Sequence, residues 1–215
     1  MTVQTPTAQD LRRALARHQL VEVPALPGRR NHIRTGVLVP LIFEPGPVAV
    51  LTERSATLSE HAGEICFPGG RPEPDDEDLE QTALREAREE LGITGAEVLG
   101  RLSAIPLYAS DYRLVPFVAA IPPQPLAPAS GEVAAVLRLE LAEVLSRPAI
   151  EGIPFELHGH RGLSPVFDVD GRRMYGATAH SFLELLQVAA PLFGRDGPPP
   201  LRATGLTWAD LGLPA

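Results

Sequence analysis

Residues 67–93 read FPGGRPEPDDEDLEQTALREAREELGI, a Pro-Gly-Gly bend and an acidic loop that run into a helix. The apolar residues Leu79, Ala83, Ala87 and Leu91 recur at four-residue steps and describe one buried stripe. Gly92 follows directly, a stop signal just past the last periodic position. The same helix carries Glu86, Glu89 and Glu90. At roughly 100° per residue, Glu86 and Glu90 fall within about 40° of each other and Glu89 within about 60° of Glu86. Glu86 and Glu90 also flank the apolar stripe, whereas a solvated charged face would sit opposite it.

Like charges one turn apart destabilise a helix by a few tenths of a kcal/mol even when exposed. They cost more where a core lowers the dielectric. A cation removes that cost. Hard carboxylate oxygens suit Mg²⁺ or Mn²⁺, which keep several waters and share coordination with substrate phosphates. The competing reading is an ordinary surface helix in which Arg85 and Arg88 pair with neighbouring glutamates. The surrounding motif decides between them.

Arg85-Glu86-Ala87-Arg88-Glu89-Glu90-Leu91-Gly92-Ile93 resembles the REUxEExGU half of the Nudix box, U being aliphatic. Glu77 stands eight residues before Arg85, where the box has its upstream glutamate. The leading glycine position of the box is Arg71 here, and the nearest glycine is Gly70. Either the loop is one residue longer than the general pattern, or Asp78 takes the upstream acidic part in place of Glu77. Leu51-Thr52-Glu53-Arg54-Ser55, Leu58, His61, Gly63-Glu64-Ile65 and Phe67-Pro68-Gly69-Gly70 follow LTxRSxxLxxHxGEIxFPGG. That pattern is similar to the coenzyme A pyrophosphatase branch of the Nudix hydrolases, and Tyr175-Gly176-Ala177-Thr178-Ala179 resembles a further segment of it.

The resemblance implies metal-dependent hydrolysis of a pyrophosphate bond in coenzyme A or its acyl derivatives. Glu86, Glu89 and Glu90 would be metal ligands and catalytic groups. Arg54, His61, Gly69, Gly70 and Arg71 would line the substrate site, with Glu132 a candidate base. The alternatives are hydrolysis of another nucleoside diphosphate derivative, such as NADH or ADP-ribose, or a nucleotide-binding module without catalysis. The expected fold is α+β, an α/β/α sandwich with a mixed sheet between helices, as in other Nudix domains.

The 215 residues suffice for one domain with extensions, expected as an N-terminal helix and linker (1–30), the hydrolase domain (31–190) and a proline-rich extension (191–215). The net charge of −8 argues against nonspecific nucleic-acid or anionic-membrane binding. No run is apolar and long enough to span a bilayer, and the N-terminus is polar, so a cytoplasmic protein is expected. The single cysteine, Cys66, excludes an intrachain disulfide and reads as a small packed residue. All nineteen basic residues besides histidine are arginine, whose fork matches phosphate. The N-terminal helix and the proline-rich tail are the candidate elements for a homodimer, and the expected partner is a small nucleotide substrate.

Along the chain, residues 8–20 read as an amphipathic helix with Leu11, Ala14, Leu15 and Val21 on one face. Runs 35–43 and 48–52 flank Glu44-Pro45-Gly46-Pro47 and predict a hairpin. Further strands are expected at 64–67, 97–105, 114–121 and 133–140, and a short helix at 141–145. Asp170-Gly171 predicts a second hairpin between 165–169 and 172–175. A helix follows at 178–189, and the chain beyond Pro191 reads as loop.

Overall fold

Strand β1 (Ile33–Ile42) is buried from Thr35 onward on both faces, and its alternation sorts the core into two halves. Val37, Val39 and Leu41 point into one cluster, Leu38 and Ile42 into the other. The structure, a computed structural model, describes residues 5–58, 61–157 and 159–212. β2 (Val48–Arg54) returns antiparallel to β1 with Leu41 opposite Ala49, forming the expected hairpin. β3 (Ile65–Cys66) adds to β2, and β4 (Gly69–Gly70) pairs with Gly36 and Val37 of β1. On the other flank, β5 (Glu97–Arg101) and β6 (Ile105–Pro106) pair antiparallel with β7 (Tyr112–Ala120). β7 runs parallel to β1 throughout its length, and β8 (Val133–Glu140) closes the outer side of β2.

Helices cover both faces of this mixed sheet. α1 (Ala8–Leu15) buries Leu11 and Leu15 on the first cluster. α2 (Leu79–Leu91) buries Ala83, Ala87 and Leu91 in the second, as its four-residue period predicts. α3 (Leu141–Ser146) and α4 (Gly176–Ala189) complete the first cluster. The α/β/α sandwich expected from the sequence is the fold observed. A second sheet stands beside it, built from β9 (Ile150–Leu157), β10 (His160–Val169), β11 (Arg172–Met174) and β12 (Leu201–Ala203).

Several local expectations are corrected by tertiary bonds. The first helix ends at Leu15 rather than at residue 20, because the chain beyond it is claimed by partners elsewhere. His18 Nε2 lies 2.7 Å from Glu184, and the Val21 N–H donates to Ser103 Oγ at 2.8 Å. Val21 is accordingly 63% exposed and not on the helix's apolar face. The strand expected over 97–105 breaks at residues 102–104, where the Ser103 N–H turns to the Glu184 carboxylate at 3.0 Å. β9 was not foreseen, since Gly152 and Pro154 interrupt its pattern. Neither was β12, which lies beyond Pro191 and pairs parallel to β9.

The contact of α2 on β1 depends on Gly36. A Cβ there would stand 2.2 Å from the Leu79 carbonyl oxygen and 3.0 Å from the Ala83 nitrogen. Both are helix backbone and cannot swing aside. Gly36→Ala is therefore expected to cost about 1–3 kcal/mol by overpacking, read as a lowered midpoint in thermal unfolding. An unchanged midpoint would show that the helix can shift freely on the strand.

Candidate active site

α2 begins with a side-chain cap: Asp78 accepts the Gln81 N–H at 2.9 Å. It ends where Gly92 turns left-handed (φ 69°) and its N–H closes on the Arg88 carbonyl at 2.9 Å. The loop before β8 is pinned to that end, with Ala129 N–H on the Glu90 carbonyl at 2.8 Å and Ala127 N–H on that of Leu91 at 2.9 Å. These bonds satisfy helix carbonyls that would otherwise lack donors. They also carry Glu132 close enough to Glu86 and Glu90 to raise both.

Packing sets the carboxylates against the double-glycine bend. A Cβ on Gly70 would lie 2.1 Å from Glu86 Oε1, so only glycine lets that carboxylate rest there. Glu90 is 7% exposed, and its Oε1 faces the Gly69 N–H at a long 3.4 Å. Burial pushes the Glu90 carboxyl up to about 7, and the charges of Glu86 and Glu132 add to the shift. Burial likewise raises Glu86, opposed by the Arg85 guanidinium. Glu89 is different. Its side chain is 53% exposed and is held by Arg85 at 2.9 Å.

Arg85 organises the cluster. It reaches Glu86 at 3.1 Å, Glu89 at 2.9 Å, Asp76 at 3.1 Å and the Arg71 carbonyl at 2.9 Å. Asp76 is the residue that sequence reasoning missed. Its carboxyl is 6% exposed, accepts from Thr82 Oγ1 and the Glu73 N–H, and is held down to about 2, foremost by Arg85. Of the two upstream acids considered, Asp78 caps the helix and Glu77 is exposed. The usable signal was the position of Asp76 six residues after Gly70, the spacing that the box assigns to its acid.

The remaining candidates fall around this centre. Arg54 ends β2 within electrostatic reach of Glu90, and among the described residues its buried Nε finds no hydrogen-bond partner. Arg71 stacks its guanidinium 4.6 Å from the Tyr112 ring centre. His61 is exposed with positive φ (56°), its Nδ1 3.0 Å from Glu64. Burial, with Glu64 as hydrogen-bond partner, pushes the Tyr175 phenol up to about 12. Thr178 is buried in α4. Cys66 lies 3.1 Å from Thr52 Oγ1, and burial raises its thiol to about 11, so it is a packed neutral residue.

A family model described as the NUDIX domain matches residues 32–156, more than half of the chain. The chain is a Nudix hydrolase. A relative from Photorhabdus laumondii, described as uncharacterized Nudix hydrolase NudL, is 36% identical over 173 residues, covering 78% of this chain and 91% of its own. A relative of the same description from Yersinia pestis is 35% identical, covering 72% of this chain and 78% of its own. A MutT/nudix family protein from Enterococcus faecalis shares the fold, with a TM-score of 0.51 at 16% identity over 87% of this chain and 75% of that one. Nudix hydrolases act on pyrophosphate bonds of nucleoside diphosphate derivatives, generally with a divalent metal ion. Among the described residues, no helix is long and apolar enough to cross a membrane.

The residues fit such an ion in part. Among the described residues, no set of three acidic, histidine or cysteine side chains converges ready to hold one. Glu86 and Glu90 offer hard oxygens beside the glycine bend, as a magnesium-like ion requires. Glu89 joins them only by leaving Arg85.

Glu90 is raised on folding, so its contribution favours the fold below the ordinary Glu range and is lost as pH rises through about 7. Glu90→Gln should thus stabilise the metal-free protein at pH ~8, by on the order of 3 kcal/mol at most, and remove its thermal response to divalent cation. A destabilised variant with an intact metal response would refute the burial account. Asp76 is depressed, so its contribution is present above the ordinary Asp range and lost as pH falls through about 2. Asp76→Asn should melt several degrees below the parent at neutral pH, and the gap should shrink below about pH 4.

Proposed function

We propose that this Nudix hydrolase cleaves the pyrophosphate bond of coenzyme A or its acyl derivatives, yielding 3′,5′-ADP and (acyl-)4′-phosphopantetheine in the cytoplasm. The observation that carries the reading is the meeting of two motifs at one place. The segment that resembles the coenzyme A branch brings Arg54, Gly69 and Gly70 against Glu86 and Glu90 of the box helix. A bound Mg²⁺ or Mn²⁺ would neutralise phosphate oxygens and make a water more acidic.

The chain's own groups supply the rest. Glu86 and Glu90 would hold the ion, and Glu89 would be a third ligand only away from Arg85. Gly69 and Gly70, without side chains, let the diphosphate approach the backbone. Arg54 brings a guanidinium charge to a place beside Glu90, suited to attracting a phosphate. Glu132 is exposed and within electrostatic range of both ligand carboxylates, and takes the proton of the attacking water.

Purified protein with Mg²⁺ is to be assayed against coenzyme A, acetyl-coenzyme A, NADH, ADP-ribose and nucleoside triphosphates. Preference for coenzyme A compounds is expected. A preference for NADH or ADP-ribose would overturn the substrate assignment, and binding without turnover would mark a nucleotide-binding module. Glu86→Gln and Glu90→Gln should each lower kcat by at least about a hundredfold, as loss of transition-state electrostatics does, with the fold retained by circular dichroism.

A further inference from the structure

The diphosphate end of the site leaves a second group of cations unused. Loop 107–111 and the start of β7 lie beside the segment entering β1, and Asn31 locks the two together. Its side-chain amide donates to the carbonyls of Leu107, Ser110 and Tyr112 at 2.9, 3.0 and 3.1 Å, and the residue is 2% exposed. Around this fixed loop stand Arg29, Arg30 and Arg71. Arg29 Nε donates to the Tyr108 carbonyl at 3.0 Å, and Arg71 lies on the Tyr112 ring. All three arginines are exposed, and among the described residues none forms an ion pair with a carboxylate.

The acid of loop 107–111, Asp111, is already engaged. Its Oδ1 accepts the Arg30 N–H at 2.8 Å and the Asn31 N–H at 3.4 Å. The Arg30 N–H is the foremost cause holding it below the ordinary carboxylate range, and His32 and Arg29 are near enough to contribute. Arg29, Arg30 and Arg71 thus outnumber this aspartate, on a protein of net charge −8. The patch also presents an exposed aromatic ring, Tyr108 at 73% exposure, with the aliphatic Ile33 39% exposed nearby in the fold.

Arg71 ties this patch to the catalytic centre. It follows Gly70 directly, and its carbonyl accepts from the same Arg85 guanidinium that binds Glu86 and Glu89. A ligand with its diphosphate at the glycine bend has its next groups within reach of Arg71. We propose that Arg29, Arg30 and Arg71 bind a second phosphate, a phosphomonoester on the ribose of the nucleotide substrate, with Tyr108 flanking the base. The inference rests on the diphosphate lying at Gly69–Gly70, and deepens that reading by assigning the site's selectivity. Arginine forks match a phosphomonoester dianion, and a rigid loop reduces the ordering cost of holding it. An exposed tyrosine offers a stacking face that any base can use.

Two measurements test it on the full chain. The first compares calorimetric binding of adenosine 3′,5′-bisphosphate with that of adenosine 5′-monophosphate, which lacks the second phosphate. The second compares kcat/KM for coenzyme A with that for 3′-dephospho-coenzyme A. In both, the parent should favour the extra phosphate by about tenfold or more, the scale of a charge-assisted contact. Arg30→Ala should bring the ratio towards one, and so should Arg29→Gln, which serves as a second variant should the first fail to fold. A parent ratio near one overturns the inference, as does a loss that is equal for both ligands. If neither coenzyme is hydrolysed but the bisphosphate still binds preferentially, the substrate reading fails and the second-phosphate site stands.

Discussion

Everything at this site depends on placing two carboxylates where water is scarce and no side chain intervenes. Glu90 is nearly buried, and Glu86 rests against the bare Cα of Gly70. Such a placement is unfavourable for anions taken singly, because burial penalises the charged form. The fold tolerates it because α2 is anchored independently of those charges. Ala83, Ala87 and Leu91 are fully buried, the helix backbone touches β1 at Gly36, and its termini are satisfied by Asp78, Gly92 and the pinned loop. Apolar packing thus maintains an electrostatic arrangement that a divalent ion can relieve.

Arg85 opposes the repulsion among the acids of this helix and its loop. One guanidinium meets Asp76, Glu86, Glu89 and the Arg71 carbonyl, so part of the negative charge is balanced within the chain. The planar fork suits this task, since a lysine's single ammonium has no matching geometry. Glu89 is the most exposed of the three glutamates and is paired at the surface, an interaction that is weak in water. Among Asp76, Glu86 and Glu89 it is accordingly the carboxylate that Arg85 holds least firmly against water.

Reading from sequence succeeded where the information is local. The four-residue stripe of α2, the Glu44–Pro47 and Asp170-Gly171 turns, and β8 with its bounds at Val133 and Glu140 all follow from neighbouring residues. It failed where distant groups compete for the backbone. Ser103 and Glu184 break one expected strand, and with His18 they draw the chain after Leu15 away from helix. β12 is a strand only because β9 offers it an edge, and nothing in Leu201–Ala203 alone would call for one.

The sequence by itself determined the box helix, its three glutamates, the glycines before it and the family to which they belong. Those features are periodic or contiguous, and need no knowledge of what lies across the sheet. Tertiary structure alone decided that Glu90 is buried and Glu86 half-buried at the bend while Glu89 is tied to Arg85. It also decided that Asp76 is that arginine's acid, and that Arg54 arrives beside Glu90 with its Nε unpaired among the described residues. Burial and pairing are properties of neighbours brought together by the sheet's register, and chain order does not encode them locally.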